Sequence, residues 1–188
     1  MVSLVELWLP ILLAAVFVFL VSSVIHMVLP WHRADATGMP GEDTILDAVR
    51  SAGVKPGQYM FPWCASMKEY AGEEMRGKLE RGPVGSLVVL GPGGWNMGRS
   101  MGAWFLYCLV VALFCGYLAS MVFESGAGYE RIHRFVGTVG VLGFAFWHVP
   151  VSIWKGAPWR VTWRFVVDGV VYGLVMGGTF GWLWPAAA

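Results

Sequence analysis

Residues 161 to 184 read VTWRFVVDGVVYGLVMGGTFGWLW, and this stretch decides the fold. At about 1.5 Å per residue it is long enough to cross a bilayer's hydrocarbon core. Gly169, Gly173 and Gly177 recur every fourth residue and lay one bare stripe along the helix, a surface that a neighbouring helix can approach closely. Asp168 stands beside that stripe with Arg164 one turn earlier. A carboxylate at such depth is costly and needs partners.

The rest of the chain has the same character. Its 188 residues are 57% hydrophobic and only 13% charged, and the mean hydropathy is +0.61, too apolar for an ordinary soluble domain. A formal net charge of +1 and the lack of any basic run argue against a nucleic-acid partner. Cys108 and Cys115 are two helical turns apart, roughly 10 Å along an axis, too far to bridge each other. With Cys64 they form no disulfide framework.

Three further apolar stretches are expected to span the membrane, at residues 4 to 29, 102 to 123 and 135 to 154. The first begins MVSLVE, without the basic start of a secretory signal, and reads as a retained helix. Gly137, Gly140 and Gly143 give the third helix its own packing stripe, and Pro150 is expected to distort its last turns. The fold class is therefore an all-α membrane protein of four transmembrane helices, with a small α/β insertion between the first two. The divisions fall at 1–30, 31–100 and 101–188. Most of the chain's charged residues lie in the insertion, which should hold helices near 45–53 and 65–81 and two short strands near 58–63 and 86–90.

Four crossings put both termini on one side and the insertion on the other. Arg33, Arg99, Lys155 and Arg160 flank the helix ends on the insertion side, so the insertion is expected in the cytoplasm and the termini outside. Glu6, on the opposite side, is expected to pair with Arg131 or Arg134.

Counting residues from the helix ends puts His26, His148 and Asp168 roughly 6, 10 and 12 Å in from one membrane face. Arg164 lies near them in depth. This convergence supports four readings: a hydrogen-bond network that fixes helix register, a divalent metal held by two imidazoles and a carboxylate, haem between His26 and His148, and a proton or ion path through Asp168. No cofactor is expected on the first reading; haem or a divalent metal are the alternatives. His32 reads as an interfacial residue and His133 as a headgroup contact. No phosphate-loop, GxSxG, CxxC or HExxH motif is present.

VSSVIHMVLPWHRAD at 21–35, PGQYMFP at 56–62, GPVG at 82–85, NMGRS at 96–100 and the DGVVYG…TFGWLWP ending resemble a set of small bacterial membrane proteins of similar length with no assigned activity. The resemblance runs over most of the chain. It implies a bacterial inner-membrane location and brings no reaction with it. The expected role is a non-enzymatic accessory subunit or scaffold that packs against other membrane proteins or itself in the lipid bilayer. The alternatives are a haem- or metal-binding redox protein built on His26, His148 and Asp168, and a small proton- or ion-coupled transporter.

Overall fold

The computed structural model describes residues 2 to 187, and the chain divides into two units. The first comprises the residues up to Ala36 and those from Met97 onward; the second is Thr37–Asn96. Residues 31 to 36, expected in the insertion, thus belong with the helical unit.

The helical unit contains α1 (Trp8–Ser23), α5 (Met97–Val122), α6 (Tyr129–Phe144), α7 (Val149–Lys155) and α8 (Trp159–Leu183). With the wide turns that continue α1 and with α6 and α7 taken together, they make, among the described residues, four helical segments long and apolar enough to cross a membrane. Large apolar side chains such as Leu20, Leu106, Phe114, Leu142 and Trp182 point outward from them, a surface that suits acyl chains better than water.

The interior is built from small residues on facing helices. Ala14, Ala15 and Val18 of α1 meet Cys108, Ala112 and Cys115 of α5, with Ile132, Val136, Met176 and Phe180 filling the remainder. The cysteines are free. Packing is closest between α6 and α8. A Cβ at Gly173 would stand 2.6 Å from the Val141 nitrogen and 2.8 Å from the Gly137 oxygen. One at Gly177 would stand 2.6 Å from the His133 oxygen, and one at Gly169 would overlap the backbone of Ala145. From the other side, Gly140 lies against the Gly173 backbone. Gly143 faces elsewhere, towards Val111 of α5. The two stripes are therefore largely spent on each other.

Two interruptions shape the site. Pro150 lacks an N–H, and its ring clashes with the carbonyl one turn back. The third crossing accordingly breaks between Phe144 and Val149. At the end of α1 the helix widens into π-type turns over Val24–Val28, Leu29 is extended before Pro30, and a 3₁₀ turn covers Pro30–His32.

Around the α5–α6 turn and the chain start the ion pairs differ from expectation. The Glu6 carboxylate accepts from the Ser3 amide at 2.8 Å and the Ser3 hydroxyl at 2.6 Å, and these bonds hold it below the usual carboxylate range. Arg134 pairs with Glu130 at 3.6 Å, and the Arg131 guanidinium lies over the Phe123 ring. The expected Glu6–arginine pair gives way to these partners, each within eight residues along the chain.

The second unit holds α2 (Glu42–Ser51), β1 (Gly57–Phe61), α3 (Met67–Tyr70), α4 (Glu73–Arg81) and β2 (Gly85–Val89). The helix expected over 65–81 is thus two, parted near Gly72. The strands pair antiparallel with Tyr59 opposite Leu87. Gly41, at φ +68°, admits the chain to α2, whose first turn carries Glu42 and Asp43.

Candidate functional site

One cluster of polar residues in the helical unit lies between the segment that follows α1 and the first half of α8. An unbroken helix would turn His32 about 240° away from His26, six residues apart. The extended Leu29 and the 3₁₀ turn instead fold His32 back, so that the two imidazoles stack with centroids 4.1 Å apart and planes 17° from parallel. Asp168 meets them from α8. Its Oδ2 lies 2.7 Å from His32 Nε2 and 3.9 Å from His26 Nε2. Asp168 is only 2% exposed.

A chain of contacts continues outward from His32. Its Nδ1 lies 2.5 Å from Asp35 Oδ2, and Arg164 donates to Asp35 Oδ1. The Arg164 guanidinium lies 5.8 Å from the Trp31 ring centroid. Burial opposes charge on Asp35, but the hydrogen bonds from His32 and Arg164 outweigh it and hold its carboxyl below the usual range. The His32 ring has a carboxylate oxygen at each nitrogen.

Sequence-derived candidates thus divide. His26 and Asp168 come together. Arg164 stands one turn from Asp168 but bonds Asp35. His148 makes a separate buried group: its Nδ1 is 2.7 Å from Thr162 Oγ1, and Ser152 also bonds Thr162. Phe165 lies between the two groups, its centroid 5.2 Å from that of His32 and stacked 4.8 Å from that of His148. His32, read from the sequence as interfacial, is instead the centre of the cluster. The signal was the Leu29-Pro30 step, where Leu29 leaves the helix in an extended conformation before the turn that carries His32.

The atoms offered by His26, His32 and Asp168 lie within 4.8 Å of one another. A tetrahedral ion with bonds of about 2.0–2.1 Å needs ligand atoms roughly 3.3 Å apart, and the 2.7 and 3.9 Å contacts to Asp168 bracket that value. Coordination requires His26 to tilt out of the stack so that its in-plane lone pair meets the others. Its side chain is 36% exposed and has that freedom. Asp35 at His32 Nδ1 supplies the outer carboxylate that orients a metal-bound imidazole.

No family model, curated protein or solved structure matches the chain.

Proposed function

We propose that this multi-pass chain binds a divalent transition metal, Zn²⁺ or Fe²⁺, through His26, His32 and Asp168. The observation that carries the reading is the spacing of these three ligand atoms around one point, with Asp35 and Arg164 behind His32. Two imidazoles and one carboxylate are a donor set that suits these ions and leaves a coordination position open. A bound ion would polarise a ligand oxygen at that position, and Fe²⁺ held by the same three residues would supply redox chemistry.

Haem is disfavoured. The stacked rings of His26 and His32 stand 4.1 Å apart, with no room for a macrocycle between them, and Phe165 intervenes before His148. The accessory-subunit and transporter readings rest on glycine stripes and residue depth. The stripes are largely occupied by the α6–α8 contact, so the metal reading draws on the more specific feature. The bacterial inner membrane is retained as the location from the sequence resemblance, and the arginines and lysine beside the helix ends support an insertion in the cytoplasm and termini outside.

Metal analysis of the purified protein, incubated with Zn²⁺ and desalted, tests this. One ion per chain is expected, lost in His26→Ala and in Asp168→Asn. A metal-free wild type, or variants that keep the ion, would refute the assignment.

A further inference from the structure

Asp168, though buried, is reached from the side of the bundle. A groove of about 470 Å³ opens between the end of α1 and the first half of α8, lined by Leu29, Trp31, Val167 and Val171 with Arg164 and, of the three proposed ligands, Asp168. Its walls are mostly apolar and belong largely to segments long and apolar enough to cross a membrane, so its mouth faces acyl chains. One end is polar, where Arg164 lies under the Trp31 ring. Val171 lies about 10 Å further along the α8 axis. A molecule with its head near Arg164 and its tail along Val167 and Val171 has the orientation of an amphiphile in one leaflet.

Charge selects the head. A dication bound by neutral His26 and His32 and by the Asp168 carboxylate carries one uncompensated positive charge. Arg164 and Asp35 cancel each other. Net charge in apolar surroundings is costly, and an anionic oxygen at the open coordination position removes it. We infer that this position takes the carboxylate of a single-chain fatty acid, which enters from the bilayer along the groove. The inference rests on the metal reading. A terminal carboxylate can reach the buried Asp168, whereas a phosphodiester is flanked on both sides by the rest of a two-chain lipid. The groove volume also falls in the range that holds one small ligand. A neutral quinone or alcohol head leaves the charge in place.

Cobalt-loaded protein in phosphatidylcholine nanodiscs tests this, because Co²⁺ d–d absorption reports its ligands. Palmitate should shift the bands at one equivalent per chain, and hexadecanol should leave them unmoved. Val167→Trp, which fills the groove at a position 48% exposed, should keep the cobalt bands and bind palmitate about tenfold more weakly or worse. Should that variant lose its cobalt, Val171→Trp makes the same test. Cobalt bands that ignore palmitate, or answer equally to hexadecanol, overturn the inference while leaving the metal reading in place. Unweakened palmitate binding in the filled groove overturns the route. Failure of Co²⁺ to bind removes the metal reading and this inference with it.

Discussion

His32 Nε2 lies 2.7 Å from Asp168 Oδ2 across 136 positions of chain. That contact joins the segment after α1 to the interior of α8, and one polar cluster of the helical unit is arranged around it. On one side stands His26; on the other, Asp35 and Arg164.

Asp35→Asn should act at two levels. It removes the charge facing Arg164 and His32, whose side chains are 26% and 11% exposed. Losing charged hydrogen bonds of this kind costs about 1–3 kcal/mol, visible as a lower thermal unfolding temperature in mild detergent. Metal affinity should fall about 10- to 100-fold, the usual effect of removing the carboxylate behind a ligating histidine. A variant with wild-type affinity would show that Asp35 does not orient His32.

His148→Ala should separate the two imidazole groups. The ring bonds Thr162 within a buried cluster, so its loss should lower thermal stability by about 1–3 kcal/mol. Cobalt absorption should stay as in the wild type. Loss of the cobalt bands in a folded variant would return His148 to the ligand set.

Gly173→Ala tests the packing of α6 on α8. Its Cβ would fall 2.6 Å from the Val141 nitrogen, so backbone must shift. Overpacking of this kind costs about 1–3 kcal/mol, read by thermal unfolding. Gly102→Ala, with open space around it, is the control and should be neutral or slightly stabilising. Equal stability of the two variants would contradict the close approach.

Much of this architecture is legible from residue order. The four apolar runs, the glycines of α6 and α8 and the two short strands follow from length, spacing and turn residues, because each is a local property. The site is less legible. Residue depth brought His26, His148 and Asp168 to one level, but depth says nothing about which way each side chain turns. Phe165 divides that level in two, and a phenylalanine between two imidazoles leaves no mark in a sequence. His32 escaped for another reason: its place depends on how Leu29 and Pro30 bend the chain, and counting along a straight helix points it elsewhere.

Orientation is open to labelling. In a Cys64→Ser background, whose other cysteines are buried, Glu74→Cys in the 37–96 segment should be protected from an impermeant thiol reagent in intact cells. Ala186→Cys near the chain end should react. The reverse pattern would place the segment outside.

The most direct test of the metal assignment is X-ray absorption of the zinc-loaded protein. The account predicts two imidazoles and carboxylate oxygen at about 2.0–2.1 Å, with one imidazole missing in His32→Ala. An unchanged imidazole count in that variant, or sulfur scattering at about 2.3 Å, would contradict it.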